Sequence, residues 1–389
     1  MSEIILNSEL LNSITEGGEV TKEEAYQIYQ DAENEPLEVY KAAEFLRNKN
    51  KGTVVTYSRK VFFNLINLCR DTCSYCTYKA EPDQTKISML TKSDVENLAT
   101  IGKKYKCTEA LFVTGERPEQ KYEVARSWLK ENGFSTTVEY ITHASEIALR
   151  AGLFPHTNAG NLTKSEMNEL KKTNVSLGLM LENSSERLAG KDMPHEFAPS
   201  KNPKARIHTL ENAGELSIPM TTGVLIGIGE TPFELIDSIY AIKKLNEKYG
   251  HIQEVILQNF QPKYDTKMHS SPRPEEKYFR TIIALTRIIM PEMNIQIPPN
   301  LSPNSYSDFL SVGINDWGGI SPVTPDFVNP EYSWPQIETV KKNCTNAGFE
   351  LRARFPVYPE FFSMMHPNLQ SKVLELADSN GLISEEYLN

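Results

Sequence analysis

Short apolar runs rich in β-branched residues alternate with longer amphipathic stretches along most of this chain of 389 residues. Short apolar runs are typical of buried strands, and stretches with apolar positions three or four residues apart are typical of helices. The predicted strands cover residues 61–68, 110–114, 136–140, 154–157, 175–181, 220–228, 252–259 and 294–297. The predicted helices between them include residues 91–106, 119–132, 164–172, 232–249 and 275–290.

This alternation predicts an α/β fold in which successive strands are parallel. Strands that are each followed by a helix or a long loop pair in parallel through right-handed crossovers. Eight strands close a (β/α)8 TIM-type barrel, which commonly needs about 250 residues, and residues 55–310 supply that length. We therefore expect a (β/α)8 barrel over residues 53–312, with an open doubly wound sheet as the alternative.

The two ends of the chain carry patterns that differ from those of the barrel. Residues 1–52 are predicted to form a helical extension, because Thr21 is a suitable N-cap before an acidic turn and Pro36 suits a first helical turn. This extension either packs on the barrel or forms a solvated helical arm. Residues 313–389 are predicted to form a C-terminal cap, made of a long irregular loop and terminal helices.

Composition narrows the class of protein. The formal net charge is −10, and nucleic-acid binding needs a basic surface, so we expect no nucleic-acid partner. No apolar run reaches the ~18 residues that a membrane span needs, and the acidic N-terminus lacks the basic segment of a signal peptide. Together with only five cysteines, this indicates a reducing, cytoplasmic location and no membrane partner.

Three of the cysteines, Cys69, Cys73 and Cys76, follow the first predicted strand with the spacing C-x3-C-x2-C. Thiolates favour iron–sulfur clusters, zinc or copper(I). A structural zinc or a simple electron-transfer cluster needs four ligands, whereas a [4Fe–4S] cluster held by three leaves one iron open to bind a reactant. A structural zinc remains the alternative, although Cys107 and Cys344 lack a partner at zinc-finger spacing and are more typical of small buried residues.

The cysteine spacing, with Tyr75 just before the last cysteine, resembles the signature of the radical S-adenosylmethionine (SAM) enzymes. In a (β/α)8 barrel, chemistry is located where the strands end at their carboxyl edges. Polar or glycine-rich segments follow the predicted strands at residues 69–78, 114–118, 158–160, 182–183, 227–231 and 258–262. Their shared position predicts one site at that end of the barrel.

A SAM molecule at the open iron needs partners for its amino group, carboxylate, ribose and adenine. Carbonyl groups around Gly115 and Glu116 are predicted to accept from the amino group, and the glycine allows close approach. Arg206 is predicted to bind the carboxylate, and Glu182 the ribose; the alternatives are a surface arginine and an acid at a helix N-terminus. The residues predicted to hold the adenine are Tyr75, Thr77, Tyr78 and Gly227.

Longer motifs resemble the biotin-synthase-like branch of the radical SAM enzymes, which has complete barrels. Residues 223–230 are similar to its glycine-rich strand, and Thr114-Gly115-Glu116 resembles its amino-group motif, usually Gly-Gly-Glu, so Thr114 is a departure. Over residues 53–360 the chain is similar to the first subunits of deazaflavin (FO) synthase. The segments that carry this resemblance are residues 56–59, 64–78, 115–119, 155–160, 177–182 and 315–322.

This resemblance implies a radical lyase reaction. A partner radical SAM subunit joins a tyrosine-derived hydroxybenzyl carbon to 5-amino-6-(D-ribitylamino)uracil. The present type of protein then abstracts a hydrogen atom from this adduct, which loses ammonia and closes a ring to give 7,8-didemethyl-8-hydroxy-5-deazariboflavin, the chromophore of coenzyme F-420. The implied cofactors are a [4Fe–4S] cluster and SAM, and the implied electron donor is a reductant protein such as ferredoxin or flavodoxin.

Polar side chains at the barrel rim suit a neutral, polyhydroxylated small-molecule substrate. His156 and Asp316 are the candidates for catalysis. The candidate substrate contacts are Asn158, Gln258, Asn259, Asn315 and Asp316. The alternatives within the superfamily are the subunit that performs the preceding step and a futalosine cyclase of menaquinone synthesis; outside it, they are a non-catalytic iron–sulfur carrier and a zinc-stabilised binding barrel.

Overall fold

The computed structural model describes residues 6–388, and its strands form one parallel sheet. The strands are β1 (Val54–Ile66), β2 (Glu109–Thr114), β3 (Phe154–Asn158), β4 (Ser176–Gly178), β5 (Met220–Ile226), β6 (Ile252–Asn259), β7 (Ile295–Gln296), β8 (Asp316–Ile320) and β9 (Glu350–Arg354). Neighbours from β1 to β8 pair in sequence order, and β1 pairs with both β2 and β8, which closes a ring of eight. The predicted (β/α)8 barrel is therefore confirmed.

Helices surround this ring. The α-helices are α1 (Glu9–Glu16), α2 (Lys22–Ala32), α3 (Pro36–Lys51), α4 (Lys92–Lys104), α5 (Pro118–Lys121), α6 (Glu123–Glu131), α7 (Thr137–Arg150), α8 (Lys164–Leu170), α9 (Pro203–Glu215), α10 (Pro232–Tyr249), α11 (Glu276–Ile289), α12 (Ile337–Asn346), α13 (Pro367–Leu374) and α14 (Glu385–Leu388). The 3-10 helices are Glu186–Ala189, Pro199–Lys201, Pro299–Leu301, Tyr306–Val312 and Pro359–Met364. In residues 6–388, no helix combines the length and the apolar composition that a bilayer crossing requires.

The predicted strand at residues 136–140 is wrong, because this segment begins helix α7. The Thr136 side chain accepts from the backbone N–H of Glu139, and the Glu139 carboxylate accepts from that of Thr136 at 3.3 Å. This reciprocal capping box starts a helix despite the β-branched residues that favour a strand. Ile141, Ala144 and Ala148 follow at helical spacing and are buried.

The strand that completes the ring lies instead at β8, beyond the predicted barrel boundary at residue 312. Its segment, Asp316-Trp-Gly-Gly-Ile320, contains two glycines, which are poor strand formers. It pairs in parallel with the first half of β1, where Thr56 lies opposite Asp316. The barrel therefore takes a strand from the stretch that the sequence assigned to the cap.

The N-terminal helices pack on the outside of the barrel rather than forming a solvated arm. Helix α2 contacts α10 and α11, and helix α3 contacts α11. Tyr240 on α10 donates to the carbonyl of Val20 at 2.7 Å, and the buried Arg47 on α3 donates to the carbonyl of Ile314 at 3.0 Å. The helical extension is thus part of the folded body.

A polar floor closes the amino-terminal end of the barrel, formed by Glu254, Asp316, Arg354 and Tyr358. Strand β9 pairs with the beginning of β1 and carries Arg354 into the interior. The Arg354 guanidinium donates to both carboxylate oxygens of Asp316, at 2.6 and 2.9 Å, and also to Glu254. Tyr358 donates to Glu254 at 2.8 Å. The Arg354 guanidinium thus donates hydrogen bonds to both buried carboxylates, those of Asp316 and Glu254.

Candidate active site

The three cysteines predicted to bind a cluster lie together on the loop after β1, half-buried at the carboxyl end of the barrel. Cys69, Cys73 and Cys76 are all unpaired and line one cavity of about 370 Å3. The backbone N–H of Cys76 donates to the carbonyl of Cys73 at 3.2 Å, which folds the loop back on itself. Burial raises the pKa of the Cys69 thiol to about 11. Because metals bind thiolates, ligation here would release protons.

The loop is fixed to the segment before helix α9. The backbone N–H of Thr72 donates to the carbonyl of Phe197 at 2.7 Å, and that of Ser74 to the carbonyl of Pro194 at 2.9 Å. The buried Asp71 carboxylate accepts from the Ser200 hydroxyl. Residues 191–203, a polar segment that contains three prolines, therefore cover the cysteine loop.

The donor set does not suit a single metal ion. Within the described part of the chain, no three His, Cys, Asp or Glu side chains converge on one ion position. A structural zinc needs four such ligands in a tetrahedral arrangement. No zinc ligand set is therefore assembled in residues 6–388, and the three thiols lie on one loop.

Gly115 allows the turn after β2 to approach the cysteine loop closely. A Cβ atom at this position would lie 2.0 Å from the carbonyl oxygen of Leu68. The next backbone N–H, of Glu116, donates to the Cys69 Sγ atom at 3.2 Å. The motif predicted to bind the SAM amino group therefore lies directly beside the first cysteine.

The Glu116 side chain is buried and only partly satisfied. Its Oε2 atom accepts from the backbone N–H of Asn161 at 3.0 Å, and a Cβ on Gly160 would lie 1.8 Å from the same oxygen. Its Oε1 atom has no hydrogen-bond partner, and the nearest cation, Arg70, is 3.7 Å away. Burial raises the pKa of this carboxyl group. An unsatisfied buried acceptor beside the thiols suits a ligand that carries N–H donors.

Glu182 and Arg206 also line the cavity. Glu182 follows β4 with a φ of +64° and forms an ion pair with Lys201. Burial opposes its ionisation, but Lys201 and Arg206 together hold the pKa of Glu182 below its usual value. Arg206 donates to two backbone carbonyls, those of Ser200 at 3.1 Å and Met180 at 2.7 Å. The structure thus brings both predicted SAM partners to one wall.

Two of the four predicted adenine contacts line the cavity. Tyr75 lies within 2.9 Å of His195 Nε2, and Tyr78 donates to the carbonyl of Val113 at 3.0 Å. Thr77 donates to a backbone carbonyl at 3.2 Å and is not among the lining residues. Gly227 also lies outside the lining, in a turn where its N–H donates to the Glu230 carboxylate at 2.7 Å.

His156, Asn158 and Gln258 line the cavity as the sequence predicts. His156 Nδ1 lies 2.6 Å from the Ser176 hydroxyl, and burial lowers the pKa of His156 to about 4. This histidine is therefore neutral at pH 7. A Cβ on Gly178 would lie 1.8 Å from the Asn158 amide oxygen, so the glycine makes room for that side chain.

Asn259, Asn315 and Asp316 do not line this cavity. Successive side chains of a strand face opposite sides, and Asn259, next to Gln258, donates outward to Ser302 at 3.1 Å. The Asn315 amide oxygen accepts from Arg287 at 2.8 Å, within the wall. Asp316 is fully buried and paired within the polar floor. These three side chains are committed to structural hydrogen bonds.

Several charged residues that the sequence did not single out also line the cavity. They are Lys60, Asp71, Glu109, Lys201, Glu254, Lys263, Asp326 and Arg354. The available signal was a charged residue inside or beside an apolar strand, as with Lys60 before the run Val61-Phe-Phe63. Such a residue is uncommon in a buried parallel strand unless it faces a polar interior.

Comparison with known proteins shows which proteins this chain is similar to. Residues 63–240 match the Radical SAM superfamily. The 7,8-didemethyl-8-hydroxy-5-deazariboflavin synthase of Methanopyrus kandleri is 43% identical over 84% of this chain and 99% of that protein. Its counterpart of the same name in Methanocaldococcus jannaschii is 41% identical over 85% of this chain and 92% of that protein. The FO synthase of Nocardia farcinica is 40% identical over 84% of this chain, which spans only 39% of that protein.

Solved structures share the fold at lower identity. The FeFe-hydrogenase maturase HydG from Carboxydothermus hydrogenoformans has a TM-score of 0.74 and 18% identity, covering 94% of this chain and 87% of that one. Methylornithine synthase has a TM-score of 0.68 and 17% identity, covering 88% of this chain and 97% of that one. At these identities, the similarity shows the fold alone.

Proposed function

Because the chain belongs to the family of radical SAM 7,8-didemethyl-8-hydroxy-5-deazariboflavin (FO) synthases of deazaflavin biosynthesis, we propose that it performs the ring-closing step as a carbon–nitrogen lyase. The substrate is the adduct of a hydroxybenzyl group and 5-amino-6-(D-ribitylamino)uracil, and the products include ammonia and the deazaflavin. The observation that carries this proposal is 43% identity over nearly the whole length of one such enzyme, combined with three free thiols that line one cavity.

Cys69, Cys73 and Cys76 would hold a [4Fe–4S] cluster by three of its irons. When bound, the cluster and SAM supply an electron and a 5′-deoxyadenosyl radical that abstracts hydrogen. The protein's part is to keep water away from that radical and to hold its target in reach. The covering loop and the apolar wall residues Phe62 and Leu111 support this role.

The wall residues suit SAM group by group. The unpartnered Glu116 oxygen and the turn at Gly115 suit the amino group, next to Cys69. Arg206 is buried, and its guanidinium is oriented by two carbonyl groups, which supports binding of the SAM carboxylate. Glu182 stays ionised beside Lys201, so it suits the ribose hydroxyls.

The cavity suits a neutral substrate more than a phosphate. Asn158 and Gln258 provide amide groups, and the neutral His156 provides a donor or an acceptor. Of the two predicted candidates for catalysis, Asp316 is paired with Arg354 within the polar floor. His156 is therefore the candidate that remains. The polar rim is consistent with hydrogen bonds to a ribityl chain.

A partner that supplies the adduct is part of the proposal. This chain spans 39% of the Nocardia farcinica FO synthase but 99% of the Methanopyrus kandleri relative. The similarity of residues 53–360 to the first subunits of FO synthase supports a partner radical SAM subunit for the preceding step. A reductant such as ferredoxin or flavodoxin would donate the electron, and five free cysteines support a reducing, cytoplasmic setting.

The test is a coupled anaerobic assay with the reconstituted chain, the partner subunit, tyrosine, 5-amino-6-(D-ribitylamino)uracil, SAM and a reductant. We expect a fluorescent deazaflavin and, beyond the ammonia that the partner subunit releases on its own, one ammonia per product. Cys73→Ala should lose the cluster and all product, whereas Cys344→Ala, a buried cysteine outside the cavity, should keep both.

Each alternative gives a different result in this assay. When the partner subunit is left out, SAM left intact by a cluster-loaded chain would indicate an iron–sulfur carrier. Accumulation of the adduct without the partner would indicate the subunit for the preceding step. Turnover of a futalosine-type substrate in place of the adduct would indicate the menaquinone branch.

A further inference from the structure

Among residues 6–388, two oppositely charged side chains at the bottom of the cavity have neither a hydrogen-bonding nor an ion-pairing partner, and the face of the Trp334 ring is the one aromatic surface within 5 Å of the Lys60 ammonium group. Lys60 on β1 and Glu109 on β2 lie opposite each other in register, and both line the cavity. Lys60 is 7% exposed and Glu109 is 6% exposed. Within the described residues, neither the Lys60 Nζ atom nor the Glu109 carboxylate has a hydrogen bond or an ion pair within 4.0 Å. Burial lowers the pKa of Lys60.

This pair differs from the charges directly beside it. In the polar floor, Arg354 is bonded to both Asp316 and Glu254. Buried charges are normally paired in this way, since a charge removed from water without a partner is destabilising. Lys60 and Glu109 are close enough in register to pair but remain apart, so the cavity is built to receive a ligand between them.

The walls around the pair are flat and apolar. The Lys60 Nζ atom lies 4.3 Å from the centre of the Trp334 ring and 5.6 Å from that of Phe62. Leu111 lies opposite Phe62 in register, one layer above Glu109. A slot with apolar walls and a polar end suits the edge of a planar heterocycle.

We propose that Lys60 and Glu109 bind the imide edge of the substrate's pyrimidinedione ring, with Lys60 donating to a ring carbonyl and Glu109 accepting from the adjacent N–H. This inference rests on the proposed function. An imide places an acceptor directly beside a donor, as the pair requires. A phenol offers a single hydroxyl group, and a ribityl chain is neither planar nor apolar.

This orientation also directs the reacting end of the substrate. The ring carbons that bear the hydroxybenzyl and ribitylamino groups lie on the side of the ring opposite the imide N–H. From Lys60, strand β1 continues for six residues to Ile66, about 20 Å at 3.3 Å per residue, before the cysteine loop. Binding the imide edge at the bottom therefore points the reacting carbons towards the thiols.

The test measures binding of the product, 7,8-didemethyl-8-hydroxy-5-deazariboflavin, to the reconstituted full chain with SAM, through the change in product fluorescence. We expect Lys60→Met and Glu109→Leu each to raise the Kd at least tenfold, and Glu109→Gln, which keeps an acceptor, to raise it less. Lys171→Met should leave the Kd unchanged, because Lys171 is a half-buried lysine outside the cavity that donates to the carbonyl of Leu216.

Two product analogues identify the contact. An analogue methylated at the imide nitrogen should bind the wild type at least tenfold more weakly than the product, and Glu109→Leu should no longer distinguish the two. The second analogue has a methyl group in place of the ribityl chain. Lys60→Met should raise its Kd by the same factor as it raises the Kd of the product.

If Lys60→Met no longer weakens binding when the analogue lacks the ribityl chain, the proposal is overturned and Lys60 instead belongs to a site for the polyol chain. Unchanged Kd values in the variants, or no product binding to the wild type, would also overturn it. So would unfolding of Lys60→Met, seen by circular dichroism, since it would indicate a structural charge. None of these results affects the proposed function, which fails only if the coupled assay yields no deazaflavin.

Discussion

Replacing Arg354 by methionine tests whether the polar floor holds the barrel together. The wild-type guanidinium bonds to Asp316 at 2.6 and 2.9 Å and also to Glu254, and all three side chains are at most 5% exposed. Methionine has a similar length but no charge, so the variant leaves two carboxylates buried together without a cation. Their mutual repulsion and lost solvation both destabilise the fold.

The expected magnitude follows from the burial of the pair. Removing one partner of a buried ion pair costs about 3–5 kcal/mol. An unfolding entropy of about 2.1 cal/mol/K per residue gives about 0.8 kcal/mol/K for this chain. The Tm of Arg354→Met at pH 8 should therefore fall by about 4–6 °C.

Calorimetry on the matched variant Arg352→Met provides the control. Arg352 lies two residues earlier on the same strand, and its ion pairs with Glu350 and Asp378 involve more exposed carboxylates. Surface pairs contribute about 0–1 kcal/mol, so the Tm should fall by about 1 °C. Equal shifts in the two variants, or an unchanged Tm for Arg354→Met, would refute the role assigned to the floor.

Two further predictions concern the polar floor and the cysteine loop. Burial raises the pKa of Glu254 from 4.5 to about 7, so its contribution to stability is complete below pH 4.5 and is lost as the pH rises through 7. The wild-type Tm should therefore fall more between pH 6 and 8.5 than that of Glu254→Gln, and parallel curves would contradict this assignment. Gly115→Ala should bind less than half the wild-type iron per chain after reconstitution, because its Cβ would lie 2.0 Å from the Leu68 carbonyl oxygen. Gly190→Ala, where the nearest atom is 3.1 Å away, should bind the full amount, and equal iron in both variants would count against the close-approach argument.

The barrel and the position of the cysteine loop could be predicted because their signals are local in the sequence. Cys69, Cys73 and Cys76 lie on one loop, and Gly115-Glu116 follows the next strand. Each motif is positioned by the strand directly before it. The parallel arrangement of the strands then brings these loops to one end of the barrel without further information.

The errors arose where local preference and tertiary context disagree. Thr136 begins a β-branched segment, yet its capping box with Glu139 starts a helix. The strand Asp316–Ile320 contains two glycines and is held by pairing with β1 rather than by its own preference. Strand propensity depends strongly on context, so neither outcome is visible in a single sequence window.

The bottom of the cavity could not be predicted, because it depends on register between distant segments. Asp316 is separated by 260 residues from its partner Thr56, and Arg354 by 100 residues from Glu254. The sequence motif around Asp316 predicts that this residue lies at the barrel rim, whereas the structure pairs it with Arg354 in the polar floor. Only the assembled sheet shows that Lys60 and Glu109 are left without such a partner.

The pairing of β1 with strands from the end of the chain has a consequence for synthesis on the ribosome. Until β8 and β9 emerge, the first strand has one unpaired edge, and β7 has another. Unpaired edges invite association with other chains, and parallel pairing across such long separations is slow. A nascent chain that stops before residue 316 would therefore form an open, aggregation-prone sheet instead of a smaller barrel. The last 75 or so residues are thus required for the barrel to close.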